Sequence, residues 1–216
     1  TASSTVSFTP PLSLAAQIPS AMSGEMTIKC TTYTSSGTSL GDYSIKLTVH
    51  VPSSAATTPS LSKSSADLGQ PIDIYLASRL SSEYTHTLSF AFGDINETIC
   101  TNTTSTFLEF IPELMLAKEI PDELSGTAII TCDTYNAAGV LVGSTSVNLT
   151  LNVPEEAKTI PVLMSETIYL GQKLSVDLSN KLVDSYTHSI SYEFEGETQN
   201  VEHEPLDEAV VVDFPI

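Results

Sequence analysis

Along most of this chain apolar side chains recur at every second position. Tyr84, His86, Leu88, Phe90 and Phe92 alternate with Thr85, Thr87, Ser89 and Ala91. Val147, Leu149, Leu151 and Val153 alternate with Asn148, Thr150 and Asn152, and Ile45, Leu47, Val49 and Val51 with Lys46, Thr48 and His50. Met26, Ile28 and Cys30 share one face, as do Ala128, Ile130 and Cys132. A period of two predicts β-strands with one buried face and one wet face, the habit of antiparallel sheets. Asn136-Ala137-Ala138-Gly139 and Ser35-Ser36-Gly37 are turn sequences that make hairpins of the strands around them. Two segments break the rhythm. Residues 112–121 and 10–19 begin and end on proline and predict a short helix from about Pro112, and its twin, as a crossover plugging one end of the fold.

The chain also repeats itself. Ile28-Lys29-Cys30-Thr31-Thr32-Tyr33 matches Ile130-Thr131-Cys132-Asp133-Thr134-Tyr135 at an offset of 132 − 30 = 102. Tyr84-Thr85-His86 matches Tyr186-Thr187-His188 at that offset, Leu68-Gly69-Gln70 matches Leu170-Gly171-Gln172, and Val51-Pro52 matches Val153-Pro154. Phe8-Thr9-Pro10 matches Phe110-Ile111-Pro112 and, two residues late, Phe214-Pro215. Residues 51–59 and 153–158 read as linkers by composition. The expected division is therefore 1–52, the C-terminal part of a first repeat; 59–154, a complete immunoglobulin-like repeat; and 160–216, the N-terminal part of a third. The fold class that follows is all-β: tandem immunoglobulin-like antiparallel β-sandwiches, about seven strands per unit with one short helical crossover. Half-sandwiches would expose sheet edges and half a core. Ser4–Phe8 and Val211–Phe214 duplicate one strand, so the expectation is a natural chain that extends beyond both ends, in preference to halves that complete one another.

Charge narrows the partners. Eight Lys and Arg against 26 Asp and Glu leave a net charge of -18, which repels nucleic acid and anionic lipid alike. No apolar run approaches the ~20 residues that span a bilayer. Cys30 and Cys132 are one position in two copies, whereas Cys100 is matched by Glu202. A disulfide belonging to the fold should recur with it, so buried free thiols are expected rather than a Cys100–Cys132 bridge.

Several groups invite chemistry. The recurring Tyr-Thr-His carries a histidine, but on the face shared with Leu88 and Phe90, which predicts a hydrogen bond within the core or at its rim. Neither nucleophile turn, zinc spacing nor phosphate loop accompanies it. Asp94-Ile95-Asn96-Glu97 and Glu195-Gly196-Glu197 are read as turns and Glu155-Glu156 as part of a linker; such acids suit calcium. The spacing of a dedicated calcium loop is missing, so solvated charge is expected. Glycan binding wants exposed aromatics, and there is no Trp; Tyr33 and Tyr135 are the outward-facing candidates. Asn96, Asn102 and Asn148 head Asn-x-Thr triplets that a Thr-rich chain forms by accident. The expectation is no catalytic, cofactor-binding or metal-ligating residues and no cofactor.

The string Tyr-Thr-His-Thr-Leu-Ser-Phe-Ala-Phe-Gly at 84–93 resembles repeats in tail-associated minor structural proteins of bacteriophages of Gram-positive hosts. So do the Phe-x-Pro, Leu-Ala-x-x-Ile-Pro and Ser-Gly-Thr-x-x-Ile-x-Cys-x-Thr-Tyr elements. The chain departs in being more acidic and in carrying Phe110-Ile111-Pro112 where an aromatic-x-Pro-Pro is usual. The resemblance implies a non-catalytic, immunoglobulin-like module of a tail, tail fibre or virion surface. Expected partners are other virion proteins, copies of itself and a host-surface glycan, with no nucleic acid and no membrane. The alternative is the stalk of a bacterial cell-surface adhesin.

Overall fold

The alternating segments are all extended in the computed structural model, which describes residues 5–201, 204 and 208–213. Strand β1 (Ser23–Tyr33) pairs antiparallel with β2 (Ser39–His50), with Ile28 opposite Ile45 and Met26 opposite Leu47. Then come β3 (Ser60–Leu61), β4 (Ser65–Asp67), β5 (Ile72–Tyr75), β6 (Thr85–Phe92), β7 (Ile95–Thr103), β8 (Phe107–Phe110), β9 (Ser125–Tyr135) and β10 (Leu141–Asn152). These eight make two sheets, in the orders β4-β10-β9-β6-β7 and β3-β5-β8. Seven strands were expected. The first strand is split, β3 lying on one sheet and β4 crossing to the other, where it runs parallel to β10. All other pairings are antiparallel. A split first strand over a three-stranded and a larger sheet, with the last two strands a hairpin inside the larger one, is the immunoglobulin-like arrangement.

The core lies between those sheets. Ile72 and Ile74 of β5 meet Leu88 and Phe90 of β6, Ile130 and Cys132 of β9, and Leu149 and Leu151 of β10, all buried. The Phe90 and Phe110 rings bridge the two sheets at 4.9 Å between centroids. Each such side chain stabilises the sandwich by about 1.5–3 kcal/mol relative to exposure. Gly126 belongs to the same packing, because a Cβ there would stand 2.8 Å from the Phe92 ring.

After β10 the pattern starts again. Strands β11 (Val162–Leu163), β12 (Lys173–Asp177) and β15 (Ala209–Asp213) form one sheet, and β13 (Ile190–Phe194) and β14 (Glu197–Val201) another. They enclose a small core of Val176, Leu178, Val210 and Val212. Glu202, Phe214 and Pro215 lie outside the described residues, as does Ser4.

Four local expectations need correction. The helices are 3-10 turns, Leu12–Gln17 and Leu114–Glu119, starting two residues later than the prolines suggest because Pro11 and Glu113 stay extended. The acidic turns are shorter than read: Gly93-Asp94 and Glu195-Gly196 turn, while Asn96, Glu97 and Glu197 already lie on strands. Cys30, expected inside, is exposed, because among the described residues β1 has only β2 as its neighbour in a sheet. Finally, the segment read as a linker at 51–59 is ordered and largely buried: Val51, Ala55, Ala56 and Thr57 are all shielded from solvent.

Candidate functional site: the joint between successive sandwiches

The repeated Tyr-Thr-His converges with that buried segment. Pro52 starts a tight 3-10 turn over Ser53–Ala55, closed by the Ala55 N–H donating to the Pro52 carbonyl at 3.0 Å. The turn presses on β10 so closely that a Cβ on Gly143 would meet the Ser53 carbonyl oxygen at 2.7 Å. Two residues on, Thr57 is fully buried with all three of its polar groups engaged. Its N–H donates to Thr134 Oγ1 of β9 at 2.9 Å, and its carbonyl accepts from Thr145 Oγ1 of β10 at 2.6 Å. Its hydroxyl shares a 2.8 Å hydrogen bond with His86 Nε2 of β6. The segment is thereby tied to three neighbouring strands of one sheet.

His86 is itself fully buried. Burial holds its pKa below the usual value, with the Arg79 cation acting the same way and the backbone of Thr103 opposing. A neutral imidazole is the form this site holds. Tyr84, two residues earlier on the same face, supplies the apolar half of the joint. Its buried ring packs with Ala15 of the first 3-10 turn, Val51, Ala55 and Val142, flanked by Ile18, Met22 and Leu80. The Tyr84 hydroxyl is buried with no hydrogen-bond partner. The β9–β10 turn adds one polar tie across the joint, the Ala137 N–H donating to the Pro19 carbonyl at 2.8 Å.

The same joint occurs again at the repeat offset. The Ala157 N–H closes the turn onto Pro154 at 3.0 Å, and His188 Nε2 bonds Thr159 Oγ1 at 2.8 Å. Val183, Leu182 and Tyr186 pack against the cluster that includes Leu116 and Ala117 of the second 3-10 turn. The Val51 N–H donates to the Met22 carbonyl at 2.9 Å, and the Val153 N–H to the Leu124 carbonyl at 2.8 Å. Sequence reasoning singled out Tyr84 and His86 but missed Ala55, Thr57 and Gly143. The signal was present for two of them, since Ala55 matches Ala157 and Thr57 matches Thr159 at the offset of 102.

Other candidates stay apart. Asp94, Glu97, Glu195, Glu197, Glu155 and Glu156 form no metal cage: among the described residues no group of three or more His, Cys, Asp or Glu could hold a metal ion. Glu155 pairs with Lys158 at 3.9 Å on the exposed side of its turn. Tyr33 is exposed and Tyr135 half-buried. Cys100 and Cys132 both stand opposite Leu88, on either side of β6. Two strand spacings, about 9–10 Å, separate them, beyond the reach of a disulfide. All three cysteines are free thiols. Among the described residues no helix is long and apolar enough to cross a membrane.

Among solved structures, the chain is similar to chicken CNTN1 FN1-FN3 domains, at 10% identity and a TM-score of 0.30, over 88% of this chain and 65% of that one. It is also similar to protocadherin gamma B2 extracellular cadherin domains 3-6, at 11% identity and a TM-score of 0.28, over 90% of this chain and 57% of that one. The chain thus spans somewhat under two thirds of the length of those multi-domain proteins. No curated protein matches it. A family model does match, over residues 55–169, from the buried turn of the first joint to just past the second, and the chain belongs to that family, the siphovirus proteins of unknown function (DUF859).

Proposed function

We propose that this chain is a non-catalytic spacer of the virion, built into a tail, tail fibre or virion surface, where it holds other parts of the particle at a set distance. The observation that carries the reading is the joint. Two successive connections bury the same alanine, Ala55 and Ala157, and make the same 2.8 Å His–Thr bond. Flexible tethers between sandwiches expose their backbone to water, whereas these connections are locked by side chains of the sandwich that follows. Sandwiches that touch only their neighbours through stiff joints form a quasi-linear rod. Membership of a siphovirus family supports placing that rod on the particle. The most suggestive titratable group, His86, is sealed from any substrate, which supports a structural role. The net charge of -18 favours partners that are proteins over nucleic acid. Those partners are other virion proteins, and residues 59–154 are the proposed repeating unit of the rod. Peptide mass spectrometry of purified particles, with gold-labelled antibody against residues 59–154 in electron micrographs, tests this. The peptides should co-purify with intact particles and the gold should mark the tail or outer surface. Particles that lack the peptides overturn the reading.

A further inference from the structure

On the outer face of the three-stranded sheet of the middle sandwich, two aromatic rings stand in water beside two facing carboxylates, and we propose that this face docks an arginine side chain of a partner protein. The inference does not depend on the virion reading, and it draws on the sandwich that lies between the two joints.

The face follows from the register. Ile72 and Ile74 of β5 and Leu108 and Phe110 of β8 pack into the core, so Asp73, Tyr75, Phe107 and Glu109 point away from it. Antiparallel pairing sets Tyr75 directly opposite Phe107 and Asp73 directly opposite Glu109. The two rings lie 5.7 Å apart between centroids, tilted at 51°, and are 38% and 48% exposed. The Tyr75 hydroxyl donates to Asp73 Oδ2 at 3.3 Å, which joins the aromatic and acidic halves of the patch. Glu109 is exposed, and among the described residues neither carboxylate is paired with a cation.

Neither half is something the fold requires. Aromatic rings left in water forgo the stabilisation of burial, and like charges directly opposite each other on a sheet are destabilising. The sandwich after the second joint does without both. At the offset of 102 the inward positions stay apolar, as Leu174, Val176, Val210 and Val212 in the same register. The outward positions become Asp177 opposite Ala209 and Ser175 opposite Val211, with no aromatic ring and no facing pair of acids.

One ligand chemistry accounts for both features. A cation is attracted to the face of an aromatic ring, and beside two facing carboxylates it offsets their repulsion. Asp73 and Tyr75 stand about 7 Å apart along one strand, and the facing strand lies about 5 Å away. A planar guanidinium suits a patch of that size. It stacks its face on a ring and directs its edge N–H donors to carboxylates, whereas an ammonium is a compact, strongly hydrated point charge. The net charge of -18 draws basic segments toward the chain before contact is made. Within the 216 residues the one arginine is Arg79, already bonded to the Thr104 carbonyl, which favours a partner of different sequence over a second copy.

The test is a titration of the 216-residue chain with a capped Gly-Arg-Gly peptide at low salt, followed by NMR at the ring protons of Tyr75 and Phe107. Both sets of signals should shift and saturate with a Kd in roughly the millimolar range, and a Gly-Lys-Gly peptide should bind about 3-fold more weakly or worse. Phe107→Ala, the side chain that Ala209 carries at the matching position, should weaken binding about 2- to 5-fold. Glu109→Gln should weaken it about 2-fold or more and also raise the denaturation midpoint of the free chain, because it removes the like-charged pair. Shifts of equal size at the exposed rings of Tyr33, Tyr43 and Tyr169 overturn the proposal, since net charge alone would then explain the attraction. So does binding that Phe107→Ala or Glu109→Gln leaves unchanged, or a titration with maltoheptaose that moves the two rings as far. Ring signals that move with protein concentration in the absence of peptide assign the face to a second copy and overturn it equally.

Discussion

Replacing Thr57 by Val changes the joint by one hydroxyl. The side chain is isosteric and fully buried, and the Thr57 N–H and carbonyl keep Thr134 and Thr145. What disappears is the 2.8 Å bond to His86 Nε2, leaving an imidazole nitrogen in a site that water does not reach. Orphaning a buried polar group costs about 1–3 kcal/mol. Cys132 offers a local gauge of that loss. It lies fully buried on β9 two residues from Thr134, and burial pushes its thiol up to about 11, so alkylation requires the sandwich to open. Alkylation of Cys132, followed peptide by peptide in mass spectra, should therefore accelerate about 5- to 150-fold in Thr57→Val. A second change sharpens the test. In Thr57→Val with His86→Leu both partners are apolar, and the pair should lose less than the sum of the single changes, by about 1 kcal/mol. Unaltered alkylation in Thr57→Val, or strict additivity in the pair, would refute the claim that this bond holds the joint.

Four further outcomes are expected. Tyr84→Phe removes a hydroxyl that is buried without a partner and should leave stability unchanged or raise it by up to about 1 kcal/mol in denaturant titrations. Gly143→Val drives a side chain into the Ser53 carbonyl and should open the first joint, broadening the small-angle scattering profile while strand content by circular dichroism stays constant. Cys30 should be alkylated within the first minutes and Cys132 only slowly until denaturant is added, and Cys132→Ala should cost about 1 kcal/mol or somewhat more through the cavity left behind. His86 has a folded pKa below its unfolded value of about 6.5, so the unfolded chain binds the extra proton first. Stability should be full above pH ~6.5 and fall as the pH drops through and below it, and His86→Leu should flatten that acid limb.

Strands were legible because alternation is a local property of a chain with one wet face. The five positions Tyr84 to Phe92 announced β6 without help from the rest of the fold. The hairpins were equally local: Asn136 Oδ1 accepts from the Ala138 and Val140 N–H at 3.0 and 2.9 Å, and Gly139 takes a φ of +77°. The joint was not legible in the same way. Ser53-Ser54-Ala55-Ala56-Thr57 has the composition of a flexible tether, and small residues serve equally where a backbone must approach another closely. What separates the two cases lies elsewhere in the chain, in Gly143, which makes room, and in Tyr84, which covers Ala55. Cys30 failed for a related reason. Alternation assigns it a face, but a face becomes an interior only when a second sheet lies over it.

The placement of the joint residues bears on how an assembly of such units would behave. Thr57 precedes the middle sandwich in sequence, yet its three hydrogen-bond partners, His86, Thr134 and Thr145, all belong to that sandwich. Ala15, Ile18 and Met22, by contrast, belong to the elements before it and offer Tyr84 an apolar seat. The entering segment is therefore fixed beyond Ala55 by directional bonds to the unit that follows, while the preceding unit contributes non-directional packing, the Val51–Met22 backbone bond and the Ala137–Pro19 tie. Directional bonds set the angle at which the chain enters each sandwich, and packing tolerates small sliding before it fails. Bending stress on such a rod should be taken up first between the 3-10 turn at Leu12–Gln17 and the Tyr84 ring, with the Thr57 bonds holding to the last. A unit defined by mechanics thus begins near Ala55, ahead of its first strand at Ser60, and that is also where the family match begins.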